Sequence, residues 1–304
     1  MSIRTEKFDD AKSAMAFLEE LAYNKHYYVF RGHQEHYYRL ATSWFRRFKT
    51  PSECLPDDLD RVINQFRVGL SLIGKVPFES ENRLDWLQEA RHYGVPTPVL
   101  DFTYSPYIAL FFAFNGTSEY APYEDKDKHV AIYALNTQAL ALAYASQKFA
   151  RRRSEPEFSV FRQGFLYPNE TLFADGFWIG LQFMPHPGKY NIRMQRQQGA
   201  MLYDTQVYDR MGLRDLEEYI GNIEEPYEQL PDGVKQPGEP TVTKAIIDKK
   251  CISDVFKRLE LMGITGATMF MDPQGVAMDI TNSYYYNPRT AYLRDIRFPP
   301  SKDD

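Results

Sequence analysis

The chain has little cysteine. Cys54 and Cys251 stand far apart and form no C-x-x-C pair, so a zinc ribbon has no ligand set. Two thiols in a chain of this size fit a reducing compartment. No apolar run reaches the length of a membrane span. The start, "MSIRTEKFDDAK", is polar and has no apolar centre of the kind a signal segment needs. The expectation is a cytoplasmic protein with no membrane partner. Positive charge is not in excess either. Lys and Arg number 36 against 41 Asp and Glu, a net charge of −5, which argues against a protein that coats DNA but leaves room for a local basic groove. Neither a G-x-S-x-G elbow nor a Walker loop is present. His33 and His36 have H-x-x-H spacing without a third ligand, so no metal site is expected.

What is present is a core. The 304 residues are 43% hydrophobic and 15% aromatic. Phe8, Ala11, Met15, Leu18 and Ala22 recur at helical spacing and predict a helix over 9–23. "HYYVFRG" reads as a strand. Leu59, Val62, Ile63, Phe66, Leu70 and Ile73 mark a second helical stripe, and Asn82 is a cap for a third helix ending at His92 before Gly94. Ser105-Pro106 is an N-cap followed by proline at the first helical position, opening "YIALFFAF", which stops at Asn115-Gly116. "HVAIYAL" (129–135) and "TVTKAIID" read as strands. "SDVFKRLELMG" reads as a helix with Ser253 as cap and Gly263 as stop. Helices and strands without regular βαβ alternation predict an α+β fold. The segments 117–128 and 222–240 read as loops, the second acidic and rich in proline and glycine. The expected organisation is a core over 1–221 with an N-terminal helix, the 222–240 loop, and a C-terminal α/β part over 241–304 packed on the core, forming one globular unit.

Three stretches carry candidate chemistry. In "YVFRG" an arginine ends a strand: Arg31 offers a planar fork for a phosphate or carboxylate, and Gly32 allows a ligand close to the backbone. The competing reading is a structural ion pair followed by a turn. In "RHYGVPTPVLDFT" two prolines stiffen a turn between His92-Tyr93-Gly94 and Asp101. Asp101 is suited to orient Arg31 or His92, and Thr103 to bond a ligand hydroxyl. The alternative is that Asp101 or Thr103 caps the helix beginning near Ser105. "RMQRQQGAML" (193–202) crowds two arginines and three glutamines onto an expected strand, where Gln197 is suited to ribose hydroxyls or base edges. "ARRR" (150–153) is a basic cluster at an expected helix end.

Together these pieces resemble the FRG domain, named for the Phe-Arg-Gly seen here as Phe30-Arg31-Gly32. The resemblance runs through Leu40-Ala41-Thr42-Ser43 and Arg46, is most specific at "HYGVPTPVLDFTYSPYIALFFAF", and continues in Arg193, Gln197-Gln198-Gly199 and "LELMGITGATMFMDPQGVAMDI". The chain departs from the family pattern at His33, Arg91 and Pro98. The family has glutamine at the first two of these positions and arginine at the third, and Arg91 is the candidate replacement for the charge lost at Pro98. The resemblance implies a mixed or antiparallel sheet core like that of ADP-ribosyltransferases, with surrounding helices. It implies NAD as co-substrate, a bacterial defence or toxin–antitoxin setting, and an antitoxin protein as partner.

Under that implication Arg31 and Gly32 meet NAD, with His92 and Thr103 beside them. Tyr93, Phe102 or Tyr104 stacks on a ring, and Gln197 meets the ribose. Arg31, Asp101 and Gln197 are the expected catalytic set, with Asp101, Glu35 and Asp204 the candidates for a carboxylate facing an oxocarbenium-like centre. The target is a nucleic acid, such as single-stranded RNA, or a protein. Two other readings stay open: a non-catalytic nucleotide-binding or interaction module, and a metal-independent nuclease using His92 and Arg31.

Overall fold

The structure, a computed structural model, describes residues 3–24, 28–47, 57–76, 83–117, 128–137, 139, 182–184, 192–203 and 240–286. The strands are β1 (Arg4–Phe8), β2 (Tyr28–His33), β3 (Val99–Thr103), β4 (His129–Asn136), β5 (Gln182–Met184), β6 (Gly199–Tyr203) and β7 (Val242–Asp248). They form one mixed sheet in the order β1-β7-β4-β2-β3-β6-β5, in which only β1 and β7 run parallel. The helices are α1 (Ala11–Asn24), α2 (Asp58–Leu72), α3 (Arg83–His92), α4 (Pro106–Phe114), α5 (Ile192–Arg196), α6 (Ile252–Leu261), α7 (Gly266–Phe270) and α8 (Pro273–Tyr286). The fold is α+β, as the mixture of helical and alternating periods indicates.

Two apolar clusters hold the layers together. One packs α1, α4 and α6 against Phe30 of β2, Val130, Ile132 and Ala134 of β4, and Ala245 and Ile247 of β7. The other joins Leu59 and Ile63 of α2 with Trp86, Leu87 and Ala90 of α3, and with Val99, Met194 and Met201. Strand side chains alternate faces. Phe30 enters the first cluster, so its neighbours Arg31 and Val29 point the other way.

α4 is fixed at both ends by its own sequence. The Ser105 hydroxyl accepts from the Ile108 N–H, proline follows at the first turn, and the helix ends at Asn115. Its interior is apolar all round because it is covered on all sides: seven of its nine residues are buried.

Other local readings are corrected. "RMQRQQGAML" is not one strand. Ile192–Arg196 is a short helix, Gln198 takes a left-handed conformation (φ 44°), and β6 starts at Gly199 instead of ending in it. The helix after β7 is not capped by Ser253. A 3-10 turn over Lys249–Cys251 precedes it, closed by the Asp248 side chain, which accepts from the Lys250 N–H at 2.8 Å. Residues 241–248 do more than pack on the core, since β7 lies inside the sheet between β4 and β1. Most of the two expected loops and the 150–153 cluster fall outside the described residues, as does Asp204. Among the described residues no helix is long and apolar enough to cross a membrane.

Candidate functional site

β2 and β3 are neighbours in the sheet but share a single register pair, Phe30 with Thr103. Each is fully paired on its other side, β2 with β4 over six residues and β3 with β6 over five. The sheet therefore splays open between β2 and β3, beyond Phe30. The residues at the split line a cavity of about 440 Å³. Arg31, Gly32, His92, Asp101, Thr103 and Gln197, spread over 167 positions of sequence from 31 to 197, all line it. Phe102, one of the three stacking candidates, is also in the wall.

Arg31 bridges the split. Its Nη1 donates to the Asp101 main-chain carbonyl at 2.6 Å, and its Nε donates to His33 Nε2 at 2.8 Å. The Asp101 carboxylate lies farther off, 3.8 Å from Nη1. Burial draws the Arg31 pKa down to about 10, opposed by Asp101, so the guanidinium stays charged at neutral pH.

The ion pair at Asp101 belongs mainly to Arg91. Arg91 Nε and Nη2 approach Asp101 Oδ2 at 2.9 and 2.7 Å. The expectation that the Asp101 carboxylate orients Arg31 gives way: Arg91 holds the carboxylate, and Arg31 takes the Asp101 backbone carbonyl. Arg91 thus supplies a positive charge at the turn where Pro98 stands. Asp101 Oδ1 is buried with no hydrogen-bond partner among the described residues, and so is His92 Nε2. Burial holds the His92 pKa below its ordinary value, partly offset by Asp101, which keeps the imidazole neutral at physiological pH.

Thr103 does not present a free hydroxyl. It donates to the Gln197 carbonyl at 2.7 Å and accepts from the Ser105 N–H at 3.1 Å. It therefore ties β3 to the turn after α5, and the helix cap itself is Ser105. The Gln197 side chain is held only at long range, 3.5 Å from the Met269 carbonyl.

Gly32 serves a purpose the sequence does not disclose. A Cβ there would stand 2.1 Å from the Ala109 carbonyl oxygen and 2.7 Å from the Ala113 nitrogen. The close approach that glycine permits is made by α4.

Tyr93 and Tyr104 do not line the cavity. Tyr93 is 68% exposed and packs on Phe66, and Tyr104 is 43% exposed. Gly94 (φ 78°) turns the chain sharply after α3 and leaves Tyr93 on the outer side. Glu35 is also outside the lining, paired at 2.7 Å with the buried Lys249.

The aromatic wall comes from elsewhere. Phe112 of α4 and Phe270 of α7 stand 6.1 Å apart, edge to face, and both line the cavity. Arg193 lies over the Phe270 ring at 4.8 Å and is ion-paired with Asp272. Asp272 is held below the usual carboxylate range by the Gly275 N–H and then by Arg193. Nothing in the local pattern around Phe270 distinguishes it from a core residue, so sequence reasoning missed it.

His33 also belongs to this wall. It is buried, its Nε2 accepts from Arg31, and its Nδ1 therefore carries the proton and donates to the Tyr38 carbonyl at 3.2 Å. Burial first, and then the Arg31 charge, depress its pKa to about 3. This predicts an acid sensitivity of known sign. Between pH 6.5 and about 3 the unfolded chain binds a proton at His33 that the folded chain refuses. Stability is then full above pH 6.5 and declines on acidification, by up to about 1.4 kcal/mol per pH unit. Urea unfolding across this range should show a shallower acid decline in His33→Gln than in the parent protein. Parallel profiles would mean that His33 is not the residue responsible.

Three arginines, one carboxylate oxygen without a hydrogen-bond partner among the described residues and an aromatic wall meet at the split in the sheet. Residues 26–121 match the family model of the FRG domain, so this part of the chain carries that domain. The match takes in β2, α3, β3 and α4, and with them Arg31, Arg91, His92 and Asp101, but not α5 or the Phe270 wall. Neither the curated proteins nor the solved structures compared with the chain gave a match.

Proposed function

We propose that the protein is an NAD-dependent ADP-ribosyltransferase that acts as a toxin in bacterial defence or a toxin–antitoxin pair, on a nucleic acid or protein target. The observation that carries this reading is the split between β2 and β3, spanned by a charged arginine whose Nη2 has no partner among the described residues. In this reading Arg31 and Arg193 hold the pyrophosphate. The Phe112 and Phe270 wall takes a ring of the dinucleotide, and the loosely held Gln197 amide meets a ribose hydroxyl. In the reaction the bond from C1′ to the nicotinamide nitrogen breaks, its electron pair leaves with nicotinamide, and a nucleophile of the target bonds to C1′ and gives up its proton. Asp101, through Oδ1, stabilises the developing positive charge. His92, neutral with a bare or unpartnered Nε2, is the group suited to receive the proton.

One observation favours a second reading. Asp101 is held between two guanidinium groups, which spend much of its charge and suit it to a site that binds NAD without turning it over. Incubation of the purified protein with NAD labelled in its adenylate phosphate, and separate protein, RNA and DNA pools, distinguishes these. Released nicotinamide with label transferred to one pool supports the transferase. Binding without release supports the module. Nucleic-acid cleavage without NAD supports the nuclease. Growth arrest on expression, lost in Arg31→Ala, tests the toxin role.

A further inference from the structure

A carboxylate that holds an arginine neutralises part of the charge the arginine would offer an anion. Arg31 is held differently. Its Nε–H is taken by an imidazole nitrogen and one Nη1–H by a main-chain carbonyl, both neutral acceptors in fixed positions. The imidazole is itself immobile. His33 is 7% exposed, its Nδ1–H is anchored on the Tyr38 carbonyl, and its ring meets Tyr133 edge-on with centroids 5.0 Å apart. The Tyr133 hydroxyl donates to the same Tyr38 carbonyl at 2.9 Å.

We infer that His33 is a positioning residue for the cleft: its unprotonated Nε2 locks the Arg31 guanidinium so that the Nη2 edge is presented, fully charged, to a phosphate-bearing ligand. This rests on the reading that the cleft takes such a ligand, and goes beyond it by assigning what aims the arginine. A neutral acceptor is the physical requirement. A carboxylate at position 33 would quench the charge that the ligand needs, and an imidazolium would repel the guanidinium and have no lone pair to offer it. The groups facing His33 include three further cations, Arg46, Lys244 and Arg31 itself, which all oppose its protonation. The site thus keeps its acceptor bare across the physiological range.

The test has a part that needs no variant. Side-chain nitrogen NMR of the full chain should show His33 protonated at Nδ1 and bare at Nε2, with a slowly exchanging Arg31 Nε–H. Isothermal titration with inorganic pyrophosphate then compares the parent with His33→Leu and His33→Gln. Loss of the fixed guanidinium geometry should weaken pyrophosphate binding roughly tenfold in His33→Leu, while the amide oxygen of His33→Gln keeps it within about threefold of the parent. A proton on His33 Nε2, equal affinity in the parent and His33→Leu, or no pyrophosphate binding by the parent overturns the inference. Pyrophosphate binding that depends on His33, alongside no binding of NAD, would leave the inference standing and reject the NAD reading.

Discussion

Arg31→Ala should weaken NAD binding by about a hundredfold or more and abolish label transfer, while the apo protein remains folded. Each charge-assisted hydrogen bond to a phosphate contributes roughly 1.5–3 kcal/mol, and about 1.4 kcal/mol is a factor of ten. The structural alternative, in which Arg31 serves mainly to neutralise Asp101, makes a different forecast. Removing the sole partner of a partly buried carboxylate would destabilise the apo protein. Asp101 has another partner, however, since Arg91 reaches it at 2.7 Å whether or not Arg31 is present. The apo melting temperature should therefore fall only by what the Asp101 carbonyl and the His33 nitrogen lose as acceptors. Arg31→Lys keeps a charge and three N–H donors but loses the planar fork that spreads them over separate nitrogens, so it should recover stability more than activity. Melting curves of both variants with and without NAD, beside the transfer assay, decide the matter. Normal transfer by Arg31→Ala removes Arg31 from the site.

The largest effect on stability is expected one residue on. Gly32→Ala places a methyl group against two backbone atoms of α4, the Ala109 oxygen and the Ala113 nitrogen. Neither is the end of a flexible side chain, so the helix must lift from β2. α4 is the most buried helix of the fold's larger apolar cluster, and displacing it should cost about 3 kcal/mol or more. Gly69→Ala is the matched control. Gly69 is exposed within α2 and a Cβ there meets nothing within 4 Å, so alanine should stabilise the protein by roughly 0.5–1 kcal/mol. Chemical denaturation of both variants measures the contrast. A Gly32→Ala midpoint equal to the parent's would show that the helix has room to move.

These two residues also show how far the sequence could be read. "FRG" marked a strand, although β2 does not end at Arg31 as expected but runs on through His33, and Ser105-Pro106 marked the start of α4, because capping and strand propensity act over a few residues. That Gly32 and α4 touch is a long-range fact, and the tripeptide carries no sign of it. Asp101 was legible as a candidate, and it lines the cavity, but its first partner is Arg91, ten positions earlier across the Pro-Thr-Pro turn. Tyr93 and Tyr104 were plausible stacking groups by composition alone. Which side of a turn a single aromatic faces is decided by the turn, and Gly94 turns Tyr93 outward. Phe270 reaches the cavity and Asp272 meets Arg193 because α7 folds back beside α5, a placement that no local period encodes. In 193–202 a run of arginine and glutamine has neither a clear helical stripe nor alternation, and the change from helix to strand hangs on the left-handed Gln198.

The position of β7 has a consequence for how the protein comes into being. Among the described residues β1 has one strand partner, and it begins at Val242. While the chain is being synthesised, β1 must wait for its partner β7 until Val242–Asp248 has emerged. α7 follows later still and brings Phe270 to the cavity. A nascent chain halted before Val242 therefore has Arg31 and Asp101 in hand yet lacks both the strand that ties β1 to β4 and the ring that closes the cleft. The cavity wall is thus assembled from segments far apart in the chain, and it is complete only after α7 has been made.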